Sequence, residues 1–173
     1  MHTIKTARLL LRPFTMDDLM TTHEYAGDAE HTKYMMFLPN GTIQETERFL
    51  LSAITEIHKD SPEFFEFAVT LDGQHIGAVS IFHESAGTYE LGWIFHRGYE
   101  GFGYATEAAK AVLDYSVNTL RAHKIIAHCD QRNTASRRVM EKIGLILESS
   151  DGKRKNKGAA EESGEYMYSL TVG

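Results

Sequence analysis

The stretch from Glu90 to Ala109 constrains the fold more than any other part of this 173-residue sequence. It starts with bulky residues typical of a strand, passes through Gly98, Gly101 and Gly103, and ends on small helix-forming residues. This order predicts a strand, a tight loop and the first turn of a helix. Backbone N–H groups in such a loop are unpaired and lie at the positive end of the helix dipole. The stretch therefore predicts a binding site for a phosphate or pyrophosphate group.

The composition is that of an ordinary globular protein, with 42% hydrophobic and 24% charged residues. No apolar run approaches the roughly 18 residues that a membrane span needs, and the N-terminal residues do not resemble a signal peptide. A single cysteine, Cys129, excludes an internal disulfide. The net charge of −6 disfavours nucleic acid and anionic membranes as partners and favours a cationic substrate. We expect a cytoplasmic protein.

The first sixty residues predict a short strand and two helices. The strand covers residues 7–14, and Thr15 is the expected N-cap of a helix that runs towards Tyr25. The apolar segment 27–41 has no clear period and is expected to pack as an irregular flap. A capping box at residues 42–45 begins a second helix that should end near Lys59.

The middle of the chain predicts an antiparallel meander followed by a crossover. Strands at 64–71, 75–83 and 88–95 are joined by turns at Asp72-Gly73 and at Ser85-Ala86-Gly87. After the glycine loop, a helix over 104–120 leads into a strand over 124–130. Because strand–helix–strand units are right-handed crossovers, this strand should lie parallel to 88–95.

The C-terminal part predicts a short helix and a closing pair of strands. Asn133 is the expected cap of a helix to Lys142, and Gly144 is its stop signal. Strands at 145–149 and 165–172 follow, with a charged loop at 151–164 between them. The whole pattern indicates a single α+β domain over residues 1–173 with a mixed, mostly antiparallel central sheet.

Two other phosphate-binding patterns fit this sequence poorly. Gly101, Gly103 and Thr106 approximate the dinucleotide fingerprint, and Asp130 stands where a ribose-binding acid would lie. That acid follows Gly103 by 27 residues, however, rather than about 20, and the chain offers one strand–helix–strand unit where a dinucleotide fold needs several. No G-K-[ST] follows the glycines, which excludes the lysine-bearing nucleotide loop.

Several stretches resemble the GNAT N-acetyltransferase superfamily, and its RimJ/RimL-like branch in particular. They are TARLLLRPF, EGFGYATEA, N-x-x-S-x-x-V-M-E-K-I-G from Asn133 to Gly144, and the terminal YMYSL. The resemblance covers nearly the whole chain. It implies a sheet of about seven strands, splayed at the cofactor site, with about four helices on both faces. It also implies acetyl-CoA as the cofactor and a primary amine as the acceptor.

By this resemblance, the pyrophosphate of acetyl-CoA binds the loop and the first turn of the helix that follows it. The matching positions are Gly101, Phe102, Gly103, Tyr104, Ala105 and Thr106. Ile94 and Phe95 on the preceding strand pair with the pantetheine arm, and Gly92 is the expected site of a bulge that splays this strand. Glu100 departs from the Q/R of the family pattern, and we expect its side chain to face solvent.

Glu90 is the predicted general base, because it lies on the central strand beside the presumed thioester. A lysine-like amine costs about 4.6 kcal/mol to deprotonate at pH 7 and an α-amine about 1.4 kcal/mol, so a modest base suffices for an N-terminal amine. Glu84, His83 and His96 are the alternatives. Glu90 also has a purely structural interpretation, as a strand carboxylate paired with a nearby basic group.

The departing thiolate needs a proton, and the resemblance suggests which side chain supplies it. Many family members use a tyrosine seven residues after the asparagine, but here that position is Met140. Ser136 is the predicted acid or thiol contact, although it is also placed to bond back to Asn133 within the first helical turn. Asn133 is predicted to be both a cap and a pantetheine ligand.

The resemblance also implies that the acceptor meets the apolar flap through Tyr34, Met35 and Phe37, which are otherwise packing residues. A protein N-terminal amine is favoured over a small amine, and the protein is expected to be a monomer or homodimer. A non-catalytic acyl-CoA-binding module is the alternative function. Cys129 is expected to be buried and unreactive. No metal site is predicted, and the basic cluster 153–157 is expected to be solvated.

Overall fold

The computed structural model describes residues 3–173 and contains one eight-stranded sheet in the order β1-β2-β3-β4-β5-β6-β8-β7. All neighbouring strands are antiparallel except β5 and β6, which are parallel as predicted. The strands are β1 Ile4–Lys5, β2 Leu9–Pro13, β3 Phe64–Leu71, β4 Gln74–Ser85, β5 Thr88–Phe95, β6 Lys124–Asp130, β7 Ile146–Arg154 and β8 Ser163–Thr171. The predicted α+β class with a mixed sheet is confirmed.

Four α-helices and two short 3-10 helices accompany the sheet within the described residues. The α-helices are α1 Leu19–Ala26, α2 Ile43–Glu56, α3 Tyr104–Asn118 and α4 Thr134–Lys142, and the 3-10 helices are Met16–Asp18 and Arg97–Tyr99. The Thr42 side chain accepts the Glu45 amide at the start of α2, as its capping box predicts. Asn133 likewise accepts the Ser136 amide at the start of α4.

Two predicted boundaries near the chain's charged segments were wrong. The second helix ends at Glu56 rather than near Lys59, where the Glu56 carboxylate accepts the Glu63 amide and pairs with Lys59. Strands β7 and β8 extend into the predicted 151–164 loop. The basic cluster 153–157 is not simply solvated, because Arg154 is buried and donates to Asn156 and Glu165.

The sheet buries a different cluster on each face. Leu91 and Phe95 of β5 join the larger cluster with Ala108 and Val112 of α3. Ile94 packs on the opposite face, in the cluster of buried residues that includes Leu50 of α2. Because side chains alternate along a strand, Glu90 and Gly92 lie on the α2 face with Ile94.

Strands β5 and β6 separate in the middle of the sheet. Their pairing ends at Glu90 and Ile126, although β5 continues to Phe95 and β6 stays paired with β8 as far as Asp130. The predicted bulge at Gly92 was wrong, since β4 and β5 keep one register from Gly77 to His83. The gap opens because β6 stays paired with β8 while β5 stays paired with β4, so that the two strands diverge.

Candidate active site in the gap between two parallel strands

The gap between β5 and β6 exposes backbone groups of β5. A Cβ atom on Gly77 would lie 2.5 Å from the Ile94 carbonyl oxygen, so this carbonyl points towards β4. Because backbone directions alternate along a strand, Leu91, Trp93 and Phe95 present their N–H and C=O groups to the gap. Backbone pairing with a ligand there would come from Trp93 and Phe95 rather than from Ile94.

His31, in the flap after α1, closes the outer end of this strand. Its Nε2 lies 2.7 Å from the Phe95 carbonyl oxygen, and its Nδ1 lies 3.5 Å from Glu100 Oε1. The Glu100 side chain is 57% exposed. His31 therefore contacts both the last residue of β5 and the residue before the glycine loop, a link that sequence patterns did not reveal.

The glycine loop leaves a continuous run of backbone donors free. Gly101 and Gly103 both have φ of +83°, a left-handed conformation that glycine adopts without strain. Helix α3 starts at Tyr104, and its first internal bond runs from the Glu107 amide to the Gly103 carbonyl over 3.0 Å. Among residues 3–173, no backbone acceptor bonds the amides of 101–106. Free amides at the start of a helix are the arrangement that the predicted anion site requires.

Arg8 holds this loop and was not singled out in the sequence. Its Nε donates to Glu107 Oε2 over 2.7 Å, and its Nη1 donates to the Phe102 carbonyl over 3.0 Å. Its guanidinium also lies 4.6 Å from the ring centre of Tyr104. Arg8 belongs to the TARLLLRPF stretch of the family resemblance, which was the one sequence feature that could have drawn attention to it. Its partners, Phe102 and Glu107, are distant in sequence.

The remaining residues of the predicted pyrophosphate site line the start of α3. Phe102 is 62% exposed, and its ring stacks on Tyr104 at 5.8 Å. Ala105 and Thr106 are half-buried in the first helical turn. The structure thus brings together all six predicted loop positions and adds Arg8, whose guanidinium is held beside the loop by Glu107.

Glu90 forms an ion pair with His128 where the gap begins. His128 Nδ1 lies 2.8 Å from Glu90 Oε1, and both side chains are about two-thirds or more buried, with exposures of 26% and 32%. The hydrogen bond to Glu90 raises the pKa of His128, while burial partly opposes it. His128 was not among the predicted bases, because its proximity to Glu90 depends on the pairing of β5 with β6.

Asn133 and Ser136 lie together at the start of α4. The Asn133 side-chain oxygen accepts the Ser136 amide over 3.1 Å, and the Ser136 side chain is half-buried. Met140 is 1% exposed and belongs to the larger core cluster. Of the two positions, Ser136 carries a hydroxyl that could donate a proton, whereas Met140 is a packing residue.

The flap residues predicted to meet the acceptor have different environments. Tyr34 is half-buried beneath the guanidinium of Arg132, which lies 5.3 Å from its ring centre. The Met35 carbonyl accepts the Lys157 amide over 3.0 Å, and its side chain is half-buried. Phe37 is 83% exposed. The flap is thus attached to the β7–β8 loop, while Phe37 is free to contact a ligand.

Asp130 ends β6 as a structural residue. Its carboxylate is fully buried and accepts hydrogen bonds from Arg132, Asn156 and Ser163. Burial alone would raise its pKa, but these donors hold the pKa well below its usual range. Asp130 is therefore unavailable to a ribose. Cys129 beside it is buried as predicted, and burial raises the pKa of its thiol to about 11.

The alternative bases lie outside the gap. His83 and Glu84 are exposed at the far end of β4, and His83 contacts the ring of Tyr89. His96 caps the short 3-10 helix through the Gly98 amide and lies 3.5 Å from Glu24. Of the candidate bases, Glu90 is the one whose strand position borders the gap. No helix within residues 3–173 is long and apolar enough to cross a membrane.

Comparison with known proteins agrees with this geometry. Residues 8–146 match the family model for the acetyltransferase (GNAT) domain. The uncharacterized N-acetyltransferase YnaD of Bacillus subtilis (strain 168) is 37% identical over 172 residues, covering 98% of this chain and 96% of that protein. A GNAT-family acetyltransferase from Bacillus anthracis superposes with a TM-score of 0.87 at 35% identity, covering 98% of both chains.

A further solved structure shares the fold at lower identity. Spermidine N-acetyltransferase from Vibrio cholerae, in complex with CoA and spermine, gives a TM-score of 0.81 at 21% identity and covers 96% of each chain. The family match spans most of the sequence, and the splayed strands and glycine loop agree with it. The chain therefore belongs to the GNAT family of acetyltransferases.

Proposed function

We propose that this protein is an acetyl-CoA-dependent N-acetyltransferase that transfers the acetyl group directly to a primary amine, without an acyl-enzyme. The observation that carries the proposal is the gap between β5 and β6, which begins at the Glu90–His128 pair and follows β5 towards the loop with the free amides of 101–106. The loop would suit a diphosphate, and the Glu90–His128 pair would suit an amine. The Vibrio cholerae neighbour, which was solved with CoA and spermine, has the same fold.

Acetyl-CoA supplies the activated acetyl group, and the residues of this chain bind and orient it. The amides of 101–106 would take the pyrophosphate, with Arg8 adding positive charge beside them. Trp93 and Phe95 would pair with the pantetheine arm as an added strand does. A free N–H of β5 at the gap would polarise the thioester carbonyl.

The Glu90–His128 pair would take the proton that the amine loses. An acceptor arrives as an ammonium ion, and its nitrogen must lose a proton to bond with the acetyl carbon. Because His128 Nδ1 lies 2.8 Å from Glu90 Oε1, the two side chains together, rather than Glu90 alone, would serve as the base. The Glu90–His128 pair lies on the α2 face of the sheet. The acceptor would approach from this face, past the flap and α1.

Ser136 would complete the transfer by protonating the departing sulfur. The C–S bond breaks as the C–N bond forms, and the thiolate, with a pKa of about 8.5 like other alkyl thiols, takes up a proton. The Ser136 hydroxyl would pass a proton to it and recover one from solvent, and the bond from the Ser136 amide to Asn133 would hold the residue in place. Met140 has no proton to give.

Two acceptor classes fall within the proposal. A protein N-terminal amine is the first, because an α-amine needs the least help to lose its proton. A small cationic amine is the second, and the net charge of −6 favours it. The two acceptor classes differ in size, so the space beside the exposed Phe37 side chain would distinguish them.

Release of free CoA from acetyl-CoA tests the proposal. The purified protein is incubated with acetyl-CoA and a panel of peptides with free N-termini, small monoamines and diamines. We expect at least one amine to raise CoA release well above background hydrolysis, with the acetylated amine found by mass spectrometry. Binding of acetyl-CoA without amine-dependent release would instead support a non-catalytic acyl-CoA-binding module and would overturn the proposal.

A further inference from the structure

Arg132, in the turn after β6, presents an exposed positive charge that a buried carboxylate holds in place. Its Nε and Nη2 atoms donate to the two carboxylate oxygens of Asp130 over 2.9 and 2.8 Å. The Asp130 side chain has no exposed surface, whereas that of Arg132 is 59% exposed. A molecule that reaches this ion pair from solvent therefore meets the guanidinium and not the carboxylate.

One edge of this guanidinium makes no hydrogen bond among residues 3–173. Asp130 occupies the edge formed by Nε and Nη2, and Nη1 has no bond of its own. The edge formed by Nη1 and Nη2 keeps two parallel N–H donors, a fork that matches a carboxylate. Asp130 and the ring of Tyr34, whose centre lies 5.3 Å from the guanidinium carbon, already hold the side chain. An anion would therefore bind with little further loss of conformational freedom.

The Asp130–Arg132 pair lies on the same face of the sheet as the Glu90–His128 pair. The odd-numbered residues 125–129 of β6 belong to the larger core cluster. Because side chains alternate along a strand, His128 and Asp130 both lie on the opposite, α2 face. Two residues of a strand span about 7 Å, so an anion on Arg132 would lie roughly 7 to 10 Å from an amine beside His128.

The flap connects Arg132 to the open end of the gap between β5 and β6. His31 of the flap contacts the Phe95 carbonyl at the end of β5. Tyr34, three residues later, contacts Arg132 just beyond the end of β6. The two strands have separated by this point, since their pairing stops several residues earlier. An acceptor that enters the gap beside the flap would therefore pass Arg132.

Other cations near the flap are paired with exposed acids. Lys33 Nζ pairs with Glu30, whose side chain is 69% exposed. Lys157 Nζ lies 3.8 Å from Glu45, whose side chain is 36% exposed. In both pairs the acid and the base face solvent together, so each pair presents little net charge. Arg132 differs from them because its acid is buried.

We propose that Arg132 is a subsite for a carboxylate of the acceptor, so that the protein prefers primary amines with an acidic group roughly 7 to 10 Å from the amine. This inference rests on the proposed amine acetylation and names its acceptor class. An extended peptide spans about 3.4 Å per residue, so an acidic side chain at the second or third position of a protein N-terminus fits. An amino acid with a long chain between its amine and its carboxylate offers the same chemistry.

Two pairs of acceptors that differ only in this charge test the subsite. The first pair is the amidated peptides Ala-Glu-Ala-Ala and Ala-Gln-Ala-Ala, and the second is 6-aminohexanoate and 6-aminohexanamide. In at least one pair, the wild-type protein should prefer the acidic member by about fivefold in kcat/KM, the effect of one exposed ion pair. The preference should appear mainly in KM and should shrink as added salt screens the charges. The pair with the higher kcat/KM identifies the source of the carboxylate.

Three variants assign the preference to Arg132. Arg132→Gln should abolish it, and because the preference is a ratio within one sample, a lower folded fraction affects both acceptors equally. Arg132→Lys keeps the charge but not the planar fork and should keep part of the preference. Arg138→Gln makes the same change as Arg132→Gln at an exposed position of α4 and should keep the whole preference. Equal use of both members of both pairs by the wild type, or an undiminished preference in Arg132→Gln, would overturn the subsite.

A binding measurement without turnover separates the subsite from the reaction. In the presence of CoA, calorimetry should show the acidic member of the preferred pair binding about fivefold more tightly than its amide to the wild type and to Arg138→Gln. Arg132→Gln should bind the two members equally. Failure to acetylate any amine would overturn the proposed function, whereas equal binding of acid and amide by the wild type would overturn the subsite alone.

Discussion

At the residue scale, the Glu90–His128 pair is the group whose charge state should govern the rate. Glu90→Gln removes the carboxylate that raises the pKa of His128. We expect kcat/KM to fall by roughly 10²–10⁴-fold, the range of general-base catalysis, with loss of its rise towards alkaline pH. Steady-state rates across pH check this, with Glu84→Gln, an exposed strand position, as the control. A wild-type profile in Glu90→Gln would exclude Glu90 as base.

The same pair has a signature in the folded protein without substrate. Because its folded-state pKa is raised, protonated His128 stabilises the protein at pH below its ordinary pKa of about 6.5. This stabilisation is lost as pH rises through the higher folded value. In Glu90→Gln, NMR titration of the His128 ring should give a lower pKa than in the wild type. An unchanged value would show that the 2.8 Å hydrogen bond does not persist in solution.

Ser136 is the second residue whose role kinetics can settle. Ser136→Ala keeps the backbone amide that Asn133 accepts and removes the hydroxyl alone. If the hydroxyl protonates the thiolate, kcat should fall roughly 10²-fold or more, with little change in the KM for acetyl-CoA. Ser149→Ala, in the distant β7 strand, is the control. A raised KM with normal kcat would make Ser136 a binding contact only.

At the element scale, the loop before α3 would bind its ligand through backbone N–H groups. The absence of side chains at Gly101 and Gly103 therefore matters more than any side chain of the loop. Gly103→Glu places a carboxylate at the anion site, in a residue with φ of +83°. We expect acetyl-CoA binding by calorimetry to weaken by at least 100-fold, since like charges repel and a non-glycine residue is strained there. Unchanged affinity would contradict the cofactor assignment.

Gly144→Glu is the matched control for backbone strain. Gly144 has φ of +97° at the end of α4, and a Cβ atom added there would meet no other atom within 4 Å. The variant should therefore lose a similar amount of stability while keeping its affinity for acetyl-CoA. A loss of affinity in both variants would show that strain, rather than charge at the loop, is the cause.

At the scale of the whole molecule, the Asp130 network joins elements that are far apart in sequence. Asp130 of β6 accepts hydrogen bonds from Asn156 in the β7–β8 loop and from Ser163 at the start of β8, and Arg154 at the end of β7 donates to the Tyr34 carbonyl of the flap. The acceptor side of the site is therefore supported from the C-terminal hairpin. A change in the conformation of this hairpin should therefore alter the position of the flap, because Arg154 connects the two.

Asp130→Asn tests this network through stability. It should lower the free energy of unfolding at pH 7 by about 2 kcal/mol, because several hydrogen bonds to a buried charged group are weakened. The folded-state pKa of Asp130 is depressed, so its contribution is present above about pH 4 and fades as pH falls further. Urea denaturation at pH 7 and pH 3 should show the variant and wild type converging. A constant difference would contradict this assignment.

Local sequence determined those elements whose boundaries depend on nearby residues. Strands 64–71, 88–95 and 124–130 and the α4 helix were predicted to the residue, because turn glycines and an asparagine cap mark their ends. The glycines of the loop likewise predicted an anion site, since left-handed backbone and a helix start are local properties. Together with the family resemblance, these patterns gave the fold class and acetyltransferase activity.

Only the tertiary structure decided which distant groups meet. His128 is 38 residues from Glu90 and reaches it because β5 and β6 are parallel neighbours. Arg8 likewise reaches the loop, and Arg154 reaches the flap, through contacts between elements that are distant in sequence. Periodicity and capping report the conformation of a segment, whereas these contacts depend on strand order and helix packing. The glycine loop could be recognised in the sequence, but the groups that surround the acceptor could not.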